Sequence, residues 1–256
     1  MTLRLNKIVG FLDKELNIAS FEDDSHNGLQ VENSGMVTKI ACGVDASLEF
    51  FQEAKKRGAN LVICHHGISW GDSLKRITEI NYKRISFLIK NDIALYACHL
   101  PLDAHPVYGN NALICKALKL KNIKPFGVYK GKAVGFRGKL SKPMPYKNFK
   151  KLVADINGIK MKELRTMDFG KKTIKSVAVV SGAAADKLED VGHMGIDVYV
   201  SGEPTLTAYH AAQEYKTNAI FAGHYATEVF GVKAVAKLLK QKFKIKAEFI
   251  DMKIPY

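Results

Sequence analysis

Apolar and polar positions alternate in two ways along the first half of the chain. Short, nearly continuous apolar runs predict strands that are buried on both faces. These runs lie at 39–44, 60–64 and 93–98. Before, between and after these runs, apolar residues recur at helical spacing in the segments 3–17, 47–57, 78–90 and 110–119. Buried strands that alternate with amphipathic helices predict a parallel sheet covered on both faces.

The pattern changes after Pro125. Strands are expected at 133–140, 163–169, 174–180 and 197–200, and helices at 146–157, 183–194 and 205–215. Pro143 and Pro145 exclude a helix through 141–145, because proline breaks a helix interior. The alternation of buried strands and amphipathic helices then resumes, with a strand at 219–222, a helix at 226–240 and a strand at 246–250.

This order of segments predicts an α/β protein with two α/β domains whose largely parallel sheets are flanked by helices. The first domain is expected to be discontinuous and to comprise 1–127 with 217–256. The second, at 128–216, is inserted into it. No low-complexity linker marks either boundary.

Composition indicates an ordinary globular protein, with 256 residues, 47% apolar residues and 25% charged residues. No apolar stretch approaches the length of a membrane span, and the N-terminus lacks the apolar core of a signal peptide. We therefore expect a cytoplasmic protein with no membrane partner. The four cysteines form no CxxC pair, which favours small buried side chains over disulfides or thiolate ligands.

The formal net charge of +14 favours an anionic ligand such as a nucleotide. The lysines are dispersed, however. Their densest runs, 119–124 and 237–246, contain few aromatic residues and no nucleic-acid-binding motif. Charge therefore supports a nucleic-acid partner only weakly.

Candidate metal ligands follow three of the apolar runs. The doublet His65-His66 ends one run and precedes Gly67, Asp103 follows a second run, and His224 and Glu228 follow a third. Imidazole and carboxylate groups are ligands for divalent first-row metals. Ligands of open parallel sheets bind beyond the carboxyl ends of the strands, which is where these residues are expected.

Two interpretations of these residues remain open at this point. A histidine after an apolar run can be a hydrogen-bonded structural residue, and an i, i+4 pair can be a surface pair. If they bind metal, the extended doublet favours two neighbouring ions over one, since adjacent strand residues point to opposite sides. A carboxylate such as Glu228 can bridge two ions. We place His99 as a residue that orients a ligand.

Five stretches carry a resemblance to a known family. They are 24–31 (DSHNGLQV), 65–67 (HHG), 99–111 (HLPLDAHPVYGNN), 201–203 (SGE) and 223–228 (GHYATE). The chain resembles the GTP cyclohydrolase 1 type 2 homologues, also called the Ngg-interacting-factor-3-like family. Tyr225 stands where family members often have a second histidine, and that position is not among the ligands.

The resemblance implies a dinuclear metal centre between two α/β domains. The ligands that it implies are His65, His66, Asp103, His224 and Glu228. Two divalent ions per chain follow, with Zn, Mn, Fe and Ni all open as identities. The resemblance also implies a homohexamer whose metal sites face an internal cavity. Glu203 is a candidate to face the site from the second domain.

The function that the resemblance implies is a metal-dependent hydrolase acting on a small anionic substrate, possibly a nucleotide. The family name points to ring opening of GTP, in which an activated water attacks C8 of guanine and formate is released. Two other functions remain open. One is a non-enzymatic metal-binding or metal-handling protein, and the other is a ring that binds nucleic acid through its charge.

Overall fold

The computed structural model describes residues 2–255. The chain divides into two compact units. The first comprises the residues up to Leu102 together with Gly231–Lys253, and the second comprises Asp103–Phe230 together with the residues from Ile254. The domain limits expected from the sequence, 1–127 with 217–256 and 128–216, stay a prediction.

The strands and helices are numbered in chain order. The strands are β1 (Leu3–Arg4), β2 (Gly28–Val31), β3 (Met36–Val37), β4 (Lys39–Asp45), β5 (Leu61–His66), β6 (Ala94–Ala97), β7 (Lys121–Tyr129), β8 (Lys132–Pro145), β9 (Arg165–Asp168), β10 (Thr173–Val179), β11 (Val198–Ser201), β12 (Asn218–Phe221) and β13 (Lys246–Phe249). The helices are α1 (Leu5–Glu15), α2 (Leu48–Lys56), α3 (Glu79–Lys90), α4 (Leu100–Ala104), α5 (Asn110–Ala117), α6 (Tyr146–Asn157), α7 (Leu188–His193), α8 (Leu206–Glu214) and α9 (His224–Phe243). The described residues also form single 3-10 turns at Ile18–Ser20, Met161–Glu163 and Ala185–Lys187.

The first unit contains a five-stranded sheet in the order β13-β4-β5-β6-β2. Its pairs are parallel except for β2, which runs antiparallel to β6. The inner strands are almost wholly buried, and α2 covers them with Phe50 and Phe51. Helix α2 begins where the Ser47 hydroxyl accepts a hydrogen bond from the Phe50 amide at 3.1 Å. It ends at Lys56, and Gly58, with a φ of 77°, supplies a left-handed cap after it.

The second unit contains a six-stranded sheet in the order β7-β8-β10-β11-β12-β9. Strands β10, β11 and β12 are parallel, and the pairs that involve β7, β8 and β9 are antiparallel. Helix α6 packs Phe149 and Val153 into the core of this unit, against Val177 and Val200 of the sheet. The α/β fold with sheets flanked by helices is therefore confirmed. Both sheets are mixed, however, and most strand pairs of the second are antiparallel rather than parallel as expected.

Several elements differ from the sequence pattern, and the short elements β2, β3 and α4 were not predicted at all. Arg4 pairs with Met36 in the short strand β1, so the first helix begins at Leu5 and not at residue 3. The helix expected at 183–194 is a 3-10 turn followed by α7. Strand β7 has no counterpart in the sequence prediction, because Lys121–Pro125 is exposed at the edge of the sheet and shows no apolar alternation.

Two expectations from composition can be compared with the structure. All four cysteines are buried, and none forms a disulfide. No helix within residues 2–255 combines the length and the apolar character needed to cross a bilayer.

Asp197 forms a buried polar link between β10 and the start of β11. Its carboxylate accepts hydrogen bonds from Lys171 Nζ, the backbone amides of Lys175 and Ser176, and the Ser176 hydroxyl, at 2.7–2.9 Å. Burial raises its pKa, but these donors outweigh burial and bring the pKa below the usual 3.8. A depressed folded pKa stabilises the fold above the unfolded pKa, and this stabilisation is lost as the pH falls through the folded value.

We therefore expect Asp197→Asn to lower the free energy of unfolding by about 1–3 kcal/mol at pH 7, because several donors lose a charged acceptor. The deficit should shrink below pH 3.8, where the wild-type carboxylate also becomes protonated. Urea denaturation at several pH values measures both effects. Asp155→Asn, on the exposed face of α6, is the control. Equal deficits for the two variants would contradict the prediction.

Candidate metal centre

The histidine doublet ends β5, as expected from the sequence. His65 is fully buried, and its Nδ1 lies 2.9 Å from the carbonyl oxygen of Cys98. Because a carbonyl only accepts, Nδ1 must carry the proton, and Nε2 is the nitrogen suited to a metal. His66 Nδ1 lies 2.8 Å from Oδ1 of Asp45, its parallel register partner on β4. Both rings are thus oriented through Nδ1.

His99 belongs to the same cluster. Its Nδ1 lies 2.9 Å from Oδ1 of Asp23, and one ligand atom from each of His65, His66 and His99 lies within 4.8 Å of the others. We call these three residues the histidine group. The role given to His99 from the sequence, orienting a ligand, stays a prediction. Its position follows from parallel pairing, since neighbouring strands β5 and β6 end at one edge of the sheet.

Asp23 is held as a carboxylate beside His99. Burial raises its pKa, but the His99 ring and hydrogen bonds from Asn27 and the Ser25 amide lower the pKa to about 2. The Leu100 amide also donates to its Oδ2 at 3.0 Å. Asp23 therefore fixes both the His99 ring and the start of α4. Sequence reasoning missed it, although it directly precedes the 24–31 motif.

Trp70 borders the histidine group. Its ring centroid lies 4.9 Å from that of His99 and 5.9 Å from that of His66. The indole Nε1 donates to the Gly67 carbonyl at 2.8 Å. Gln30 Oε1 accepts from the Ile68 amide at 2.8 Å and so ties the motif at 24–31 to the loop after β5. These contacts fix the loop after β5, which carries the Trp70 ring beside the histidine group.

In the second unit, Asp103 lies buried on a hydrogen-bond network. Its Oδ1 accepts from Asn110 Nδ2 at 2.8 Å and from the Ser181 hydroxyl at 2.9 Å. Asn111 Oδ1 accepts from the Ser181 amide at 2.7 Å. The two asparagines of the 99–111 motif therefore position the carboxylate and the residue that binds it. Ser181 is another contributor that sequence reasoning missed.

His224 and Glu228 lie on the first turns of α9 and face each other, as their spacing predicts. His224 Nε2 is 3.1 Å from Glu228 Oε1, a spacing suited to two ligands of one first-row ion with bonds of about 2.0–2.2 Å. His224 Nδ1 contacts Glu203 Oε1 at 2.5 Å. Burial lowers the pKa of His224, but the carboxylates of Glu228 and Glu203 outweigh it and raise the pKa to about 9. Glu203 thus acts on this site by orienting a candidate ligand.

Gly182 shapes the space beside this pair. Its φ is 67°, and its amide donates to the Thr227 hydroxyl at 3.0 Å. A Cβ at this position would lie 2.3 Å from Glu228 Oε1 and 3.2 Å from His224 Nε2. Only glycine satisfies both the backbone conformation and the close approach.

The predicted ligands therefore come from both units, with His65 and His66 in the first and Asp103, His224 and Glu228 in the second. We call Asp103, His224 and Glu228 the carboxylate group, in which Ser181 contacts Asp103 and the adjacent Gly182 packs on the other two residues. The two groups offer imidazole nitrogens and carboxylate oxygens, which are donors that Zn, Mn, Fe and Ni accept. The rings are pre-oriented by oxygen acceptors, and Gly182 leaves the donor atoms accessible. The residues present thus fit divalent cations.

Comparisons with known proteins match nearly the whole chain. The family model Duf34/NIF3 (NGG1p interacting factor 3) matches residues 3–255. The protein named GTP cyclohydrolase 1 type 2 homolog from Pyrococcus abyssi is 40% identical over 245 residues, covering 96% of each chain. Its namesake from Archaeoglobus fulgidus is 40% identical over 250 residues, covering 98% of each chain. The crystal structure of TTHA1606 from Thermus thermophilus matches with a TM-score of 0.89 and 33% identity, covering 98% of this chain and 99% of the other.

The raised pKa of His224 yields a pH-dependent prediction. In the metal-free protein, His224 should titrate near pH 9, so its ring is protonated at pH 7.5. The stabilisation from the protonated ring should be complete below pH 6.5 and lost as the pH rises through about 9. A metal needs the neutral ring, so cation affinity should increase over the same interval.

Glu203→Gln should lower the titration midpoint of His224, because one of its two carboxylate partners loses its charge. Two-dimensional ¹⁵N NMR of the imidazole in metal-free protein measures the midpoint. Glu189→Gln, an exposed acid on α7, is the matched control and should leave it unchanged. A midpoint near 6.5 in the wild type would contradict the assignment of the two carboxylates as its partners.

Proposed function

The chain belongs to the Duf34/NIF3 family, and from that membership and its two donor groups we propose that it is a hydrolase that works with two divalent cations. The proposed ligands are His65, His66, Asp103, His224 and Glu228. The observation that carries the proposal is the orientation of the imidazoles. Each ligand histidine has Nδ1 beside an oxygen acceptor, an arrangement typical of metal-ligating histidines.

The residues around the ligands have separate tasks in this proposal. The Cys98 carbonyl, Asp45 and Glu203 hold the three ligand imidazoles, and Asn110 and Ser181 hold Asp103. When bound, two cations would supply Lewis-acid activation of water and stabilisation of developing negative charge. Trp70 packs against His66 and His99 of the histidine group, so its ring is placed to contact a substrate there.

The proposed substrate is a small anion of nucleotide type. The relatives from P. abyssi and A. fulgidus are named as homologues of GTP cyclohydrolase 1 type 2, and the formal net charge of +14 favours anions. GTP is therefore the first substrate to test. A metal-binding protein without turnover is the second candidate, supported by the same donor groups.

Metal analysis tests the ligands. Purified protein should carry about two ions per chain, and His65→Ala/His66→Ala and His224→Ala should each lower this number, since both groups are proposed to contribute ligands. The exposed histidine of α8 supplies the control His210→Ala, which should keep full metal content. Mass spectrometry of metals with thermal melting of each variant gives the measurement. Unchanged metal in the doublet variant rejects the site.

Turnover is tested separately. Protein loaded with Mn, Fe, Zn or Ni is incubated with GTP, and formate and the ring-opened product are followed. We expect formate release that the His65→Ala/His66→Ala variant abolishes and His210→Ala preserves. If metal is retained but no loading gives product, the cyclohydrolase proposal fails. A panel of nucleotides and phosphoesters then distinguishes another hydrolase from a metal-binding protein.

Self-assembly into a homohexamer is also proposed, from the family resemblance. Exposed apolar side chains in the first unit support an interface, because Ile77 and Ile80, at the start of α3, are 56% and 57% exposed. Light scattering after size exclusion should give about six times the chain mass of 28.4 kDa. Ile80→Asp, which places a charge at an exposed apolar position of α3, should reduce the mass, whereas Lys83→Asp should not. A monomeric wild type would contradict the hexamer.

A further inference from the structure

A basic cavity lies in the second unit, and none of the proposed metal ligands is among the residues that line it. It is a cavity of about 390 Å³, within the range of roughly 300–1,000 Å³ usual for small-molecule sites. The lining residues that matter here are Asn122 and Lys124 of β7, Arg137 and Lys139 of β8, Ser176 of β10, and Ile196. Ile196 is buried and forms an apolar part of the wall.

Three cations are concentrated on this cavity. Lys124 and Arg137 are register partners on the antiparallel strands β7 and β8, and Lys139 lies two residues along β8 on the same face. Like charges directly opposite each other destabilise a sheet. None of the three pairs with an acidic side chain among residues 2–255. The cavity therefore has an uncompensated positive field.

The carboxylate next to the cavity does not offset this charge. Asp197 contacts Ser176, but its oxygens already accept four hydrogen bonds, including one from Lys171. Ser176 Oγ also accepts from the Asp197 amide at 3.0 Å, so this hydroxyl is fixed in place.

Arg137 gives an independent indication of an anion. Its side chain lines the cavity, and its Nε is buried without a hydrogen-bond partner among the described residues. A buried donor without a partner is costly, and guanidinium groups are suited to bidentate binding of phosphate oxygens. A phosphate at this position would satisfy the donor and separate the opposed cations.

The backbone of β7 is shaped to form the cavity. Between Lys121 and Lys124 the strand has one residue more than β8 has opposite it, so it bulges. Asn122, within the bulge, has a left-handed φ of 54°, a backbone conformation that asparagine adopts more readily than other non-glycine residues. Gly138 allows the bulge to approach, because a Cβ there would lie 2.9 Å from the Lys121 carbonyl. Bulges frequently occur beside functional sites.

We propose that this cavity binds the diphosphate group of a small phosphorylated molecule. Arg137 would bind phosphate oxygens as a fork, and Lys124 and Lys139 would act as point charges on either side. Asn122 and Ser176 would contribute neutral contacts. The proposal does not depend on the metal centre.

Binding is tested with inorganic pyrophosphate and, in a second arm, ADP, using calorimetry and ¹H–¹⁵N NMR on the full chain with EDTA present. We expect saturable binding with shifts of the amides near 122–124, 137–139 and 176. Arg137→Gln and Lys139→Gln should each weaken it roughly tenfold or more, since each removes a charged contact. Lys142→Gln, an exposed lysine further along β8, makes the same charge change and should alter affinity less than about twofold.

The His65→Ala/His66→Ala variant should bind pyrophosphate like the wild type, which separates this site from the proposed metal centre. Tighter binding of ADP than of pyrophosphate identifies a nucleotide as the source of the diphosphate, and equal binding identifies the free anion. Equal loss in Lys142→Gln and Arg137→Gln would show diffuse charge attraction and overturn the proposal. Binding of single-stranded RNA without pyrophosphate binding would also overturn it.

Discussion

Parallel hydrogen bonding between buried strands is the constraint on which the rest of the structure depends. In the first unit, β5 pairs with β6 so that Cys64 is opposite Ala97, and the ladder continues with the Cys98 amide donating to the Cys64 carbonyl at 3.0 Å. This register brings the loops after both strands to one edge. The Cys98 carbonyl can then hold the His65 ring. A shift of one residue would turn the doublet to the opposite faces and remove that contact.

In the second unit, parallel hydrogen bonding also extends past the strand ends, and here it joins three glycines. Beyond the parallel strands β10, β11 and β12, backbone bonding continues from the Gly202 amide to the Gly182 carbonyl and from the Gly223 amide to the Gly202 carbonyl, at 2.9 and 3.0 Å. These three chain segments therefore leave the sheet together. Glu203 and His224 follow directly on two of them, which explains how residues 21 apart in the chain come into contact. The carboxylate group is thus a product of strand pairing and of the start of α9.

Much of this arrangement could be predicted from the sequence, because apolar runs identify buried strands and polar residues after them identify the edge. The ends of β5 and β6 and the i, i+4 pair on α9 are examples. Long-range partners could not be predicted. Asp23 contacts His99, 76 residues away in the chain, and Ser181 contacts Asp103, 78 residues away. Asp23, His99 and Ser181 lie in loops, and the apolar pattern of a loop does not indicate which distant residue it will contact. Strand β7 was missed for a different reason: an edge strand with solvated lysines has little apolar periodicity to detect.

Gly182 has a consequence for how relatives of this chain can be interpreted. It has no functional group, yet its missing side chain leaves the space in which His224 and Glu228 present their donor atoms. A single methyl group would occupy that space while every ligand remained in the sequence. Conservation of the ligands is therefore an incomplete criterion for a functional centre in a homologue. The residue aligned with Gly182 is a separate criterion, because it shows whether the space beside the two donor side chains is open.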